Sequence, residues 1–260
     1  FRAQTDVTVV LDSNAPYERR HDLAVAEHTF ELMCEGTPVI HQGVLRDAET
    51  RTYGAPDLLI RSDVLNEIFP NTLQPDNAVQ NAPDLGTEAW HYRVVDVKFA
   101  TLRLNASGQL GNSESALAYK LQVFSYNRAL GRLQGYLPPE AYLLGRGWEQ
   151  RRGKETTRVF NCMDRIAPVP NDDASRAKGP LFAQVDAAET WLRKMRIEGA
   201  SWSPLPEPSV PELRPNAKGD PGPWRSAIKE IVRKTDDLTQ LRYVGPSKRW
   251  AANEKGFERW

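Results

Sequence analysis

Cysteine is scarce, long apolar runs are absent, and neither sign of charge is in excess. Two cysteines among 260 residues, Cys34 and Cys162, cannot build a disulfide scaffold or supply the four thiolates of an iron–sulfur cluster. A cytoplasmic, reducing compartment is therefore expected. No stretch approaches the roughly 18 consecutive apolar residues that a membrane-spanning helix needs, so no membrane partner is expected. The chain does not open on a basic-then-apolar leader, and a first residue of Phe1 reads as a fragment or a processed chain. No G-x-x-x-x-G-K-[ST] loop occurs, which leaves no sign of an ATP-driven motor. No H-E-x-x-H or G-x-S-x-G occurs either, and His21, His28, His41 and His91 lack zinc-ligand spacing. The 34 basic and 34 acidic side chains cancel, which argues against a nucleic-acid partner only if the charge is evenly spread.

It is not evenly spread. Residues 224–260 carry nine basic and five acidic side chains, a charge of +4, leaving −4 for residues 1–223. The stretch Arg146 to Arg158 is also basic. A neutral total thus hides an acidic body with basic surfaces, although solvated helix faces would give the same arithmetic.

The spacing of apolar residues predicts a helix over 22–35, with Leu23, Ala26, Phe30, Met33 and Cys34 recurring at helical intervals and Gly36-Thr37-Pro38 ending it. Residues 38–45 and 55–61 read as two strands of a hairpin, joined by the polar turn RDAETRTYG. Residues 69–90 are rich in Asn, Pro and Asp without periodicity and read as a long, mobile insertion. Residues 92–102 form the clearest strand, 113–133 a long helix, and 141–144 and 157–161 strands flanking a basic turn. A helix is expected over 183–196. Seven prolines between 204 and 223 then read as an extended connector. The organisation expected is a core over 1–165, a helix and connector over 166–223, and a basic helical hairpin over 224–260.

The segment from Tyr92 to Phe99 carries the chemistry. Alternate side chains of a strand share a face, so Tyr92, Val94, Asp96 and Lys98 point one way. Arg93, Val95, Val97 and Phe99 point the other way, towards a core. A carboxylate and an ammonium two residues apart at the end of an apolar strand suit an open rim with a task or partners. Alone, the pair is equally a surface ion pair. Asp57 lies in Gly54-Ala55-Pro56-Asp57-Leu58-Leu59-Ile60 and reads alone as a turn residue. Two acids from neighbouring strands and a lysine are also what a hard divalent cation and an attacking water require. Gln122 and Tyr126, four apart, share a face of the long helix, and Glu27 interrupts the inward stripe of the first helix.

Taken in order, Glu27, GAPDLL with Asp57, VVDVK with Asp96 and Lys98, and QVFSY with Gln122 and Tyr126 resemble the RecB-like branch of the PD-(D/E)XK nucleases over roughly residues 20–150. The resemblance implies an α/β restriction-endonuclease-like core, a mixed sheet flanked by helices, with a small C-terminal helical region. It implies Mg2+ or Mn2+ bound by Asp57, Asp96 and Glu27, with the Val97 carbonyl completing the shell. Lys98 would assist the nucleophilic water, and Gln122 and Tyr126 would orient the lysine or contact DNA. His28 adjoins Glu27 and is the other candidate for the first position. The implied partner is DNA, with RNA as an alternative substrate and a helicase or other protein, fused or separate, as an associate. A catalytically silent nuclease-fold module is the competing expectation. Residues 237–260 resemble a degenerate helix-hairpin-helix, whose turn can offer backbone N–H groups to a phosphate.

Overall fold

The computed structural model describes residues 6–12, 14–86, 89–112, 114–160, 163–175 and 179–260. Phe1, Ser113, Asn161 and Cys162, which figure in the sequence reading, lie outside these. The chain divides into two compact units, residues 1–189 and 190–260.

In the first unit, β1 (Val7–Val9) precedes α1 (Leu23–Cys34), and β2 (Val39–His41) follows. The side chain of Asp22 accepts from the Ala24 N–H and caps α1, and Gly36 ends it with a left-handed φ of 75°. β3 (Leu45–Asp47) and β4 (Thr52–Gly54) form a small hairpin of their own within the expected polar turn, and β5 (Leu58–Arg61) completes the larger one. Then come α2 (Ser62–Ile68), the short α3 (Pro75–Ala78), β6 (Tyr92–Leu104) and α4 (Glu114–Gln134). β7 (Glu140–Arg152), β8 (Glu155–Val159) and β9 (Ala167–Pro170) follow, then α5 (Leu181–Glu198), which belongs to this unit up to residue 189.

Seven strands form one mixed sheet in the order β1-β2-β5-β6-β7-β8, with β9 also on β7. β1–β2 and β6–β7 are parallel and the remaining pairs antiparallel. A parallel pair requires a crossover, and α4 supplies it between β6 and β7. Alternation along the strands divides the core in two. Ile40, Leu59, Val94 and Leu143 pack with Met33 of α1, Val123 and Leu130 of α4 and Leu181 of α5. Their neighbours Val39, Ile60, Val95 and Leu144 pack with Val64 and Leu65 of α2. The protein is therefore mixed α/β, with a mixed sheet flanked by helices. Among the described residues, no helix is long and apolar enough to cross a membrane.

Four expectations change. The described part of 69–90 is packed rather than mobile: Phe69, Leu73, Ala82 and Leu85 are buried. Polar side chains of α2 tie it down, since Asn66 bonds both the N–H and the carbonyl of Leu73, and Ser62 Oγ donates to the Ala78 carbonyl at 2.6 Å. Periodicity misses such a segment because its apolar residues are spaced by turns rather than by a helix or strand period. The core also does not stop at 165. β9 pairs with β7, and Arg128 of α4 meets Asp186 and Glu189 of α5.

The proline-rich stretch, finally, is part of the second unit rather than a free connector. Proline forbids a ladder without forbidding packing: Val210 is buried, and the Ala217 N–H bonds Thr239 Oγ1 at 3.0 Å. Here α6 (Arg225–Lys234) and α7 (Pro246–Asn253) are separated by a single 3-10 turn, Leu238–Gln240. The first helix of the expected helix-hairpin-helix is therefore missing. Asp237 caps that turn by accepting from the Thr239 N–H at 2.9 Å, and it also pairs with buried Arg249 at 3.2 Å. Arg249, counted among the basic residues of the tail, is thus spent on structure.

Candidate active site

The register of β5 on β6 pairs Leu58 with Val95, and one further step along it sets Asp57 opposite Asp96. The ladder ends there, and Asp57 occupies the gap with both oxygens engaged. Oδ2 accepts the Val97 backbone N–H at 2.7 Å, and Oδ1 accepts from Gln42 Nε2 at 2.5 Å. Gln42 follows β2, donates its own N–H to the Asp57 carbonyl at 2.9 Å and holds a left-handed φ of 55°, an uncommon conformation for a residue with a side chain.

Asp96 is 3% exposed. Burial pushes its carboxyl up to about 6, the Lys98 hydrogen bond opposes that rise, and the nearby charge of Asp57 adds to it. Lys98 forms an ion pair with Asp96 Oδ2 and donates to Gln122 Oε1 at 2.7 Å. Gln122 Nε2 in turn donates to the Tyr126 hydroxyl at 2.9 Å. Burial raises the Tyr126 phenol, with Asp96 and Asp57 adding to the rise and Gln122 opposing it. The Tyr126 ring lies on Gly54, where a Cβ would stand 2.3 Å from its Cε1. The small β3–β4 hairpin therefore seats the far end of a chain running Asp96–Lys98–Gln122–Tyr126.

Asp57, Asp96, Lys98, Gln122 and Tyr126 thus come together. Val97 takes part through its amide, while its side chain is 45% exposed and Phe99 beyond it is 88% exposed. Past Val95, then, the second face of the strand is open rather than core.

Glu27 does not join the group. The buried line of α1 is Val25, Thr29, Leu32 and Met33, and Glu27 lies about 200° around the helix from Val25. It is exposed, as is Leu23, and both border an open groove with Phe30, Val44 and Leu133. Leu23, which with Phe30 sets the helical phase that favours Glu27, sits in the first turn and outside the core. His28 is also exposed and lies 3.6 Å from Glu31.

Sequence reasoning missed Gln42, Gly54 and Tyr119. Tyr119 stands three residues before Gln122 on α4, a helical neighbour, and its ring centroid lies 5.2 Å from Lys98 Nζ. That spacing was a usable signal. Gln42 follows a three-residue strand and Gly54 ends another, too short for a period to mark them.

Two carboxylates against one ammonium leave excess negative charge at a partly closed rim, and their oxygens are hard donors. Magnesium commonly takes one or two carboxylates and completes its shell with waters and phosphate oxygens, so Asp57 and Asp96 fit such an ion. Among the described residues, no group of three or more His, Cys, Asp or Glu side chains is placed to hold a metal. The chain matches no protein-family model, and no curated protein matches it.

Proposed function

We propose that this protein is a divalent-metal-dependent nuclease with a restriction-endonuclease-like core, hydrolysing DNA phosphodiester bonds. The observation that carries the reading is the opposition of Asp57 and Asp96 across β5 and β6, with Lys98 beside them and tied to Gln122. The parallel β6–β7 pair joined by α4 supports the core assignment. When bound at the two carboxylates, magnesium or manganese supplies a water of lowered pKa and offsets charge on the phosphate. Asp57 is presented in one orientation because Val97 and Gln42 each hold one of its oxygens. Lys98 stands where an ammonium stabilises negative charge growing on a phosphoryl oxygen or orients the attacking water. Gln122 and Tyr126 are positioning residues that fix the lysine.

The test is cleavage of linear and circular DNA with magnesium or manganese. Asp96→Ala and Lys98→Ala are each expected to lose at least about a hundredfold in rate. Undiminished cleavage by either variant overturns the proposal. RNA is the alternative substrate, since the metal chemistry does not read the sugar, and matched DNA and RNA oligonucleotides decide between them. One observation favours a silent nucleic-acid-binding module instead, namely that Glu27 stands apart from the carboxylate pair. Binding without cleavage under either metal would establish that reading.

A further inference from the structure

β6 does not end at Lys98. Its pairing with β7 slips between Lys98 and Thr101, where three steps on β6 face two on β7. A bulge of this kind bends a strand and re-aims its side chains. Phe99, inside the bulge, is 88% exposed with the Arg146 guanidinium 5.0 Å from its ring centroid. Past the bulge, β6, the β7–β8 hairpin and the first turns of α4 enclose an open cleft of about 690 Å³, within the size range of small-ligand sites.

Its walls combine aromatic rings and guanidinium groups. Tyr119 lines it from α4 and Phe160 from the end of β8, the latter 72% exposed. Arg158 is paired with Glu149. Arg103 is exposed and forms no ion pair among the described residues. The Lys98 ammonium lies over the Tyr119 ring, so Tyr119 is shared by the cleft and the proposed active site. An aromatic ring left in water, in a cleft that also holds an unneutralised guanidinium, contributes little to folding. It is suited to stacking on a nucleobase while the cation meets the phosphate.

We propose that this cleft holds an unpaired nucleotide of the substrate strand, with its base against Phe160 and Tyr119 and its phosphate at Arg103. The substrate class is then single-stranded nucleic acid or a frayed end, because a base within a duplex cannot present its face to a ring. The inference rests on the nuclease reading for the identity of the neighbouring site, but its test does not.

Binding of the full chain to a fluorescein-labelled 12-nucleotide oligothymidylate and to a blunt hairpin duplex is measured by anisotropy in EDTA. The wild-type protein is expected to bind the single strand at least about tenfold more tightly than the duplex. Phe160→Ala is expected to weaken single-strand binding at least about fivefold, the low end of base–aromatic stacking, and to leave duplex binding unchanged. Arg103→Gln is expected to weaken single-strand binding and flatten its salt dependence. Both side chains are exposed, so both variants should retain the fold, which circular dichroism checks. Equal wild-type affinity for the two probes, or wild-type single-strand affinity in both variants, overturns the proposal. If the binding pattern holds but magnesium and manganese elicit no cleavage, the cleft stands and the nuclease reading fails. If the strand is cleaved while both variants bind as wild type, the reverse is true.

Discussion

Two carboxylates set opposite each other on neighbouring strands repel, and a folded chain that keeps them there gives up stability at that point. Asp96 bears most of this strain, with burial and Asp57 both raising its carboxyl to about 6. A folded-state value above the unfolded one favours folding fully below the unfolded value, and that contribution is lost as pH rises through about 6. In metal-free protein, Asp96→Asn is therefore expected to raise Tm at pH 8 and to lose most of that advantage by pH 4, as thermal unfolding in EDTA measures. The same variant should lose cleavage.

His91 runs in the opposite direction. It is fully buried; burial, reinforced by the charge of Arg93, lowers its imidazole to about 4, and Arg93 Nε donates to its Nε2 at 2.7 Å. Its contribution is present above the ordinary value of about 6.5 and is lost as pH falls through about 4, on the order of 3 kcal/mol in all. An NMR titration is expected to show His91 uncharged until well below pH 6. A midpoint near 6.5 would contradict its placement. Asp57, Asp96 and Lys98 were legible in the sequence because strand alternation and an acid before an apolar run carry local signals. The phase that Leu23 and Phe30 give the first helix misplaces Glu27, because Leu23 is exposed and Phe30 only partly buried.

Among the elements, β6 and α4 were readable because each keeps one period over many residues. The β3–β4 hairpin and the 69–90 segment were not, because their buried residues depend on turns and on side-chain bonds from α2. Yet the hairpin bears on the site, since Gly54 seats the Tyr126 ring. Gly54→Ala is expected to displace that ring and lower stability by about 1–3 kcal/mol, as overpacking does. It should also reduce cleavage by loosening Gln122 and Lys98. Urea unfolding and kcat measured together check this, and wild-type values for both would show that Tyr126 can move without consequence. The tail was only partly readable for the opposite reason. Its helical pattern is present in α6 and α7, but Asp237 and Arg249 hold a 3-10 turn between them.

Across the whole molecule, neutrality comes from opposite excesses. Residues 190–260 carry fourteen basic and nine acidic side chains, a charge of +5, which leaves −5 for residues 1–189. The exposed face of α6 presents Lys229 and Arg233, which form no ion pair among the described residues, and cations of this kind contribute to binding through counterion release. Replacing both by Gln is expected to lower the salt dependence of DNA affinity, reducing its slope by up to about two. Titrations at several salt concentrations measure the slope, and an unchanged value would separate this surface from the substrate. The unit boundary itself was not legible, because prolines between 204 and 223 suggest a linker by composition while Val210 and Thr239 show packing.

The central claim is that Asp57 and Asp96 together hold a divalent cation. A crystal structure of the protein with manganese, using the anomalous signal, tests it most directly. The account predicts a single strong peak between the two carboxylates, absent from Asp96→Asn crystals treated in the same way. No peak there in the wild-type protein, or an equal peak in the variant, would contradict it.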